Sequence, residues 1–593
     1  LRGVAGIPLL LRGSTWGGVL GAAEGTAEGA GGELGFTSVP TREDDALHVP
    51  EGYVHEIVAR WGDALVEGLA PFDAGKLTAD EQRRRFGVNC DFNGFFALDA
   101  SGSSGLLCVN HEYPSGREMF PDHEAVERKA EHVAIEIAAV GLSVIEVARG
   151  AGGAWALVPA SKYNRRVTAE SEVRIAGPCA GHAWLRGAGS ARGTLANCSG
   201  GKTPWKTALS GEENVHSFFG RAGDKTVAPS ALQRDYGLGA AWSAYRWEGF
   251  HERFNVALHP DEPNLFGWVV ELDPFDPQAL PVKRTALGRL KHEGATACLS
   301  RGGRVVVYMG DDERAQHVYK FVSEETCDPA ARGGRGASGR DLLDHGRLYV
   351  ARCEADGTGR WLALVPEGPL EGRSQAEILI NARASARLLG ASPMDRPEGI
   401  AVDPHSQRVY VALTKDGERA EADSVNPRPK NLHGQILELA EDGGDLAAES
   451  FAWSHFLVCG PPGSGASYSG IDPSRVNPVS CPDNLTFDAA GNLWIATDGQ
   501  EKAQRTNDAL YAVATAGAER GLTKRFLTGP AGGEICGPEL TPDGRTLFVN
   551  VQHPGQDQGI GGARSSRWPD GGDGPPRASV IAVRRADGGP IGE

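Results

Sequence analysis

Five stretches of the 593-residue chain repeat one pattern, and this repeat constrains the fold more than any other feature. Each stretch has a short apolar strand, a turn containing Gly, Asp or Ser, and a second strand with alternating apolar positions, which is typical of a β-hairpin. The five stretches are residues 97–112, 298–313, 399–414, 484–499 and 539–554. Hairpins repeated at long intervals without alternating helices predict an all-β fold. They favour a β-propeller over the alternative of a two-sheet β-sandwich.

The long intervals leave room for large loop and helical insertions. Residues 328–340, 422–434 and 459–470 are rich in Gly, Pro, Ser or Asn and are predicted to be loops. Residues 121–141 have helical periodicity and end at a glycine, which predicts a helix outside the sheets. The 81 Gly and 36 Pro residues also suit a protein with many turns.

The net charge of -17 limits the possible partners. A nucleic-acid-binding protein normally presents a basic face, and the sequence has no run rich in Lys or Arg. The acidity has two interpretations: it keeps the protein soluble, or it forms a cation site from clustered oxygen ligands. Composition by itself favours solubility.

The cysteines and the amino-terminal segment bear on export. Ten cysteines are scattered without a CxxC pair, which argues against a structural zinc site and leaves disulfides open. There is no apolar run of about 18 residues, so no membrane span is expected. We predict that residues 1–35 are a leader or the remnant of an export signal, and that residues 36–593 form a single domain.

An acidic residue stands directly before four of the apolar strands. These residues are Glu293, Glu398, Asp483 and Glu539. Turn chemistry alone can place an acid in one such dipeptide. Four acids in the same phase instead predict carboxylates around one mouth of a propeller channel. Such carboxylates stay ionised together only if a cation lies among them.

Further candidate ligands lie outside this repeat. Glu212 and Glu213 are adjacent acids that belong either to a solvated face or to an ordered loop, and Glu271 follows a strongly apolar strand. Cys179 stands in a loop of small residues. It is either a buried inert thiol or a ligand that favours a transition metal such as iron over calcium.

Basic residues accompany several of these acids. Arg396 is two residues before Glu398, and Arg428 and Lys430 share the loop at 422–434. Most such residues are expected to be surface charges, but arginine beside a metal site suits an anionic substrate such as phosphate.

These segments resemble the PhoX-type alkaline phosphatases. The matching stretches run from about residue 36 to 590 and include "VNHEYP", "GPCAGHAW", "NCSGGKTPWKTALSGEEN", "RPEGIAVDP", "NPRPKNLHGQILE" and "PDNLTFDAAGNLWIATDG". The resemblance implies a monomeric, six-bladed propeller that is exported by the twin-arginine route and is periplasmic or secreted. It also implies that the protein hydrolyses small phosphate monoesters at a cluster of Fe³⁺ and Ca²⁺.

The same resemblance implies roles for individual residues. Cys179 is similar to the iron-ligating cysteine of the family, and Glu271 and Glu398 to its bridging carboxylates. Arg396 resembles the arginine that contacts the substrate phosphate. The predicted catalytic residues are therefore Arg396, Glu271 and Glu398, with Lys430 as a second phosphate contact. The predicted metal ligands are Cys179, Glu212, Glu213, Glu271, Glu293, Glu398 and Asp483.

The chain departs from the family pattern at Gly211, Gly399 and the stretch "TKDGER", residues 414–419. Two functions of other classes also stay open. A propeller with channel carboxylates can be a calcium-dependent, lactonase-like esterase, or a non-catalytic binding protein with structural calcium. The absence of a GxSxG elbow and of a Walker motif agrees with catalysis by metals without a serine nucleophile.

Overall fold

The computed structural model describes residues 34–120, 128–224, 226, 228–328, 341–556 and 566–593. Strands dominate these residues. In chain order they are β1 (Tyr53–Arg60), β2 (Cys90–Ala97), β3 (Ser104–His111), β4 (Gly141–Arg149), β5 (Trp155–Leu157), β6 (Arg165–Val167), β7 (Glu172–Ala176), β8 (Ser190–Arg192), β9 (Asn197–Lys202), β10 (Ala208–Glu212), β11 (Val269–Leu272), β12 (Val282–Arg284), β13 (Thr296–Leu299), β14 (Arg304–Gly310), β15 (Arg314–Gln316), β16 (Val318–Thr326), β17 (Gly346–Cys353), β18 (Thr358–Ala363), β19 (Met394–Asp395), β20 (Pro397–Val402), β21 (Val409–Leu413), β22 (Gln435–Glu441), β23 (Ser450–Val458), β24 (Ser467–Tyr468), β25 (Pro482–Phe487), β26 (Leu493–Thr497), β27 (Ala509–Val513), β28 (Thr523–Thr528), β29 (Glu534–Leu540), β30 (Thr546–Gln552) and β31 (Ser579–Arg585).

The described α-helices are short and lie in the connections between strands. They are α1 (Ala79–Gln82), α2 (Gly116–Met119), α3 (Ala130–Ala139), α4 (Ala231–Asp235), α5 (Gln375–Ile380), α6 (Ala382–Leu389) and α7 (Gln500–Gln504). The predicted helix over 121–141 corresponds to α3, and residues 121–127 lie outside the described residues.

The strands form six antiparallel blades of a β-propeller. Blade 1 is β2–β5, blade 2 is built on β9–β12, and blade 3 runs outward from β13 through β14, β16 and β17. Blade 4 is β20–β23, blade 5 is β25–β28, and β18 pairs with β23 to join the outer edges of blades 3 and 4. In blade 6, β1 pairs with β31 beside β29 and β30, so strands from both ends of the domain close the ring.

The innermost strand of each blade contacts the innermost strand of the next. These contacts run from β2 to β9, β13, β20, β25 and β29 and back to β2. The ring around the central channel is therefore complete, which confirms the propeller predicted from the repeated hairpins.

Apolar side chains fill the spaces between neighbouring blades. Phe95 of blade 1 packs on Phe548 of blade 6, with ring centroids 5.5 Å apart. The fully buried Trp494 of blade 5 belongs to one apolar cluster with Val549 and Ile581 of blade 6. Each buried side chain of this kind contributes about 1.5–3 kcal/mol, so the ring is rigid enough to hold side chains at its mouth in fixed positions.

Three sequence predictions concern features outside the blades. The predicted leader, residues 1–35, lies almost wholly outside the described residues, but Leu34 is buried in the core. No helix in the described part of the chain is long and apolar enough to cross a membrane. All ten cysteines are free thiols.

Candidate metal centre

The innermost strands of all six blades carry the same irregularity near one mouth of the channel. A residue near the start of the strand pairs with a residue near the end of the second strand, and the register then shifts by one residue. These opening pairs are Cys90–His111, Asn197–Glu212, His292–Asp311, Pro397–Leu413, Pro482–Thr497 and Cys536–Asn550. Such a bulge bends the strand and redirects the next side chain.

The residues that follow these opening pairs form two rings at the mouth. On the innermost strands they are Asp91, Cys198, Glu293, Glu398, Asp483 and Gly537. Just beyond the ends of the second strands they are Glu112, Glu213, Asp312, Thr414 and Asp498, and within β30 the equivalent residue is Val551. Nine of these twelve positions carry a carboxylate or a thiol. The blades are structurally equivalent, so the same position of each hairpin comes to the mouth. Blade 6 breaks the pattern and supplies Glu534 and Cys536 instead.

The ligand-type atoms of these side chains lie close together. Four overlapping groups of three have such atoms within 4.8 Å of one another. The groups are Asp91–Glu534–Cys536, Asp91–Glu112–Cys198, Cys198–Glu213–Glu293 and Glu293–Glu398–Asp483. We call the members of these groups the channel cluster. All of its members are buried, and several line a cavity of about 230 Å³ at the mouth.

Close backbone approach makes this convergence possible. A Cβ atom on Gly399 would lie 2.5 Å from the carbonyl oxygen of Asp483, and one on Gly211 would lie 2.3 Å from that of His292. Real Cβ atoms do not come so near, so neighbouring blades can approach here only if these positions are glycine. The two departures from the family pattern thus stand at tight contacts between blades.

Burial and mutual repulsion disfavour the ionised form of most of the cluster acids. Burial raises the pKa of Asp91 to about 7, and burial together with Asp91 raises the pKa of Glu112 to about 8. The pKa values of Glu293 and Glu398 lie well above the usual range because both are buried beside other carboxylates.

Arg396 and Lys502 line the cavity, and Lys415 lies beside Asp498. Arg396 donates to Asp312 from Nε (2.8 Å) and from a terminal nitrogen (2.6 Å), and lies 3.0 Å from Glu398. Its backbone is left-handed, with φ of 54°, a strained conformation that is often found at functional sites. Lys415 donates to the carbonyl oxygen of Asp498 at 2.7 Å. Although burial opposes it, Lys415 and Arg396 lower the pKa of Asp498 to about 2.

The donor set fits metal ions. Asp91 Oδ1 and Glu213 Oε1 are buried without a hydrogen-bond partner, which is costly unless something else binds them. Carboxylate oxygens suit a hard cation such as calcium, and the thiols of Cys198 and Cys536 suit a transition metal. The Cys198 thiol donates to the Glu293 carboxylate at 3.3 Å, so a sulfur ligand and an oxygen ligand lie side by side in the cluster.

The structure brings four of the predicted ligands together and places the others elsewhere. Glu213, Glu293, Glu398 and Asp483 are members of the channel cluster, and Arg396 lines the same cavity. The predicted ligands Cys179, Glu212 and Glu271, the predicted phosphate contact Lys430, and the in-phase acid Glu539 are not among the residues that line this cavity.

Two of the predicted ligands that lie elsewhere, Cys179 and Glu271, have partners of their own. Cys179 is fully buried in an apolar core, where its thiol donates to the carbonyl oxygen of Ala376 at 3.7 Å. Glu271 accepts hydrogen bonds from Trp205, Thr207 and Arg284 inside blade 2. A satisfied side chain in a blade interior is not available to a metal at the channel mouth.

Lys430 and Glu539 do not line the cavity because of their positions in the chain. Lys430 is exposed on the insertion loop. Glu539 lies two residues beyond Gly537, the position equivalent to Glu398, because the bulge of β29 falls at Cys536 rather than at Pro538. It accepts from the amide of Phe95 at 3.1 Å.

Sequence reasoning missed Asp91, Glu112, Cys198, Glu534 and Cys536. A signal for Glu112 was present, because polar clusters end the second strands of several repeats. Cys198 is the equivalent of Glu398 in blade 2, but blade 2 is absent from the five aligned hairpins. Its strands are separated by turns that do not match the repeat.

Comparisons with known proteins agree with this architecture. The family model for alkaline phosphatase PhoX matches residues 34–555. A structure of Pseudomonas fluorescens PhoX in complex with vanadate, a transition state analogue, is 40% identical in sequence. That match covers 94% of this chain and 99% of the other, with a TM-score of 0.87. No curated protein sequence matches the chain.

Two more distant structures carry no argument about function. A gluconolactonase from Xanthomonas campestris is 13% identical over 84% of this chain and 96% of its own, with a TM-score of 0.27. A protein of unknown function from Dyadobacter fermentans is 8% identical over 90% of this chain and 99% of its own, with a TM-score of 0.36. With its family model matched across the propeller and a 40% identical relative over nearly its whole length, the chain belongs to the PhoX family of alkaline phosphatases, enzymes that hydrolyse phosphate monoesters.

Proposed function

We propose that phosphate monoesters are hydrolysed at the channel cluster and that the cluster holds iron together with calcium. The observation that carries this proposal is the convergence of buried carboxylates and thiols, with unpartnered oxygens on Asp91 and Glu213. The family membership supplies the reaction, and the vanadate bound to the Pseudomonas fluorescens protein supports a phosphoryl group as its substrate.

The donor atoms divide the cluster by chemistry. Cys198 joins two of the four groups, so iron is best placed where its thiolate meets Glu213 and Glu293. The all-oxygen group of Glu293, Glu398 and Asp483 suits calcium. Metal ions bound here would polarise the phosphoryl oxygens and lower the pKa of a bound water.

The side chains of this chain hold and orient the substrate. Asp312 and Glu398 fix the guanidinium of Arg396 at the cavity, where its second terminal nitrogen can donate to a phosphoryl oxygen. Lys415 donates to the carbonyl oxygen of Asp498 at 2.7 Å and lies 3.4 Å from its carboxylate. Both cations offset the negative charge that substrate brings to an acidic cavity.

Location and assembly follow from the family resemblance alone. We propose a monomeric enzyme in the periplasm, exported by the twin-arginine route, that acts on small phosphorylated substrates. The absence of a nucleic-acid-binding face stays a prediction from the sequence.

Metal removal tests the proposal. Protein purified without chelator is expected to contain iron and calcium by mass spectrometry and to hydrolyse p-nitrophenyl phosphate. Both properties are expected to be lost on exhaustive chelation and to return when the two metals are restored. Hydrolysis that survives complete metal removal would contradict the proposal. Protein that contains calcium without iron and hydrolyses a lactone would support the lactonase-like esterase. Protein that contains calcium without iron and hydrolyses neither ester would support the non-catalytic binding protein.

A matched pair of cysteine variants tests the ligand assignment. Cys198→Ser is expected to lose bound iron and activity, because Cys198 lies within the channel cluster. Cys179→Ser is expected to keep both, because Cys179 lies in an apolar core. Iron lost from the Cys179 variant and kept by the Cys198 variant would overturn the assignment.

A further inference from the structure

The size of the mouth cavity limits which part of a substrate can enter it. Its volume is about 230 Å³, below the 300–1,000 Å³ that is usual for pockets enclosing a whole ligand. Acidic side chains line much of it, and these are Glu112, Glu213, Glu293, Asp312, Glu398, Asp483, Asp498 and Glu534. The phosphoryl end fits such a cavity, so the leaving group of a monoester has to extend over the rim.

An aromatic side chain stands at that rim. Tyr113 directly follows Glu112, lines the cavity and is half-buried. Its ring is nearly parallel to that of Tyr245, at 14° with centroids 6.5 Å apart, and lies 6.2 Å from the ring of His553. Tyr245 in turn packs against Phe218 at 4.8 Å.

Hydrogen bonds fix Tyr113 from both ends. Its hydroxyl donates to Gln556 Oε1 at 3.1 Å, and its carbonyl oxygen accepts from Asn89 Nδ2 at 3.0 Å. The ring is therefore held in one orientation at the cavity edge, and ordering it costs nothing when a substrate arrives.

We propose that Tyr113 binds the leaving group of the substrate and selects phosphate monoesters whose leaving group carries a planar ring, such as aryl, benzyl or nucleoside phosphates. This inference rests on the proposed function, because it requires the phosphoryl group to lie over the channel cluster. Offset or edge-to-face contact between two rings is worth about 0.5–1.5 kcal/mol beyond their area burial, which corresponds to about a 2- to 10-fold preference.

A pair of substrates isolates this contact. Benzyl phosphate and cyclohexylmethyl phosphate have leaving groups of similar size and acidity. Only the ring of the benzyl group is planar. For wild-type holoenzyme we expect kcat/KM to be about 2- to 10-fold higher for benzyl phosphate. The Tyr113→Leu variant, which keeps apolar bulk, is expected to lose this preference, and Tyr113→Phe, which keeps the ring, is expected to retain it.

The outcomes separate the inference from the proposed function. No preference in the wild type, or equal losses on both substrates in Tyr113→Leu, would overturn the role of Tyr113 while leaving phosphatase activity intact. A wild-type enzyme that hydrolyses neither ester would overturn the proposed function itself. If Tyr113→Leu does not fold, inhibition of the wild type decides: benzylphosphonate is expected to bind more tightly than cyclohexylmethylphosphonate, and equal binding would refute the inference.

Discussion

Glu212 and Glu213 are neighbours in the chain and both are buried, yet they belong to different regions of the molecule. Glu212 points into blade 2, where Lys283 donates to it at 2.7 and 3.0 Å and Thr194 at 2.8 Å. The amides of Gly267 and Trp268 also donate to it. Glu213 points into the channel, where one of its oxygens is buried without a partner.

The difference shows that burial alone does not identify a functional acid. Successive side chains of a strand point to opposite faces, so the alternation at the end of β10 sends one glutamate to each region. In the blade interior a lysine and several donors satisfy the charge. At the mouth, burial and then the charges of Asp312 and Glu112 raise the pKa of Glu213 well above its usual value. A carboxylate in that state is suited to bind a cation.

The largest expected effect is on activity, in Glu213→Gln. The substitution keeps the size of the side chain but removes a ligand charge. We expect kcat/KM for p-nitrophenyl phosphate to fall at least about a thousandfold, or about 4 kcal/mol. The melting temperature of the metal-free protein should not fall, because Glu213 Oε1 has no hydrogen-bond partner to lose. Near-normal turnover in a folded, metal-replete variant would show that the two glutamates do not differ as described.

The next effect is on stability, in Glu212→Gln. Removing this charge leaves Lys283 buried without its counter-ion, which is expected to cost about 3 kcal/mol of unfolding free energy in denaturant titrations. The protein that remains folded should keep its metal content and its turnover. Adding Lys283→Met to the Glu212→Gln variant should recover part of the lost unfolding free energy. If Glu212→Gln instead lost metal with unchanged stability, the assignments of Glu212 and Glu213 would be reversed.

The third effect is on the pH dependence of the stability of metal-free protein. The folded pKa values of Asp91 and Glu112 are about 7 and 8, against 3.8 and 4.5 as reference values. The folded state therefore binds protons more tightly than the unfolded state. Its unfolding free energy should fall as pH rises from about 4 to about 8.

Metal reverses this trend, because metal ligands must be deprotonated and binding therefore improves as pH rises. Melting temperatures between pH 5 and pH 8, with and without chelator, measure both slopes. A metal-free protein that becomes more stable toward pH 8 would mean that the cluster acids are not mutually repelling.

Much of the candidate site could be predicted from the repeated hairpins. The phase of Glu293, Glu398 and Asp483 located three of the ring positions, because strand alternation and turn position are local properties of sequence. The same reasoning failed at Glu539, since a bulge inserts a residue and shifts the phase. It also passed over Asp91 and Cys198, whose neighbouring sequences differ from the repeat.

The sequence by itself determined the all-β architecture, the acidic character of the channel mouth and membership in a phosphatase family. Each of these follows from local periodicity, charge or matched motifs. Only the tertiary structure decided which acids meet at the channel and which cysteine joins them. Residues about 100 positions apart, such as Cys198 and Glu293, are brought to 3.3 Å by closure of the six-bladed ring. The register shifts of blades 2 and 3 and the close approach of their backbones at Gly211 place them there.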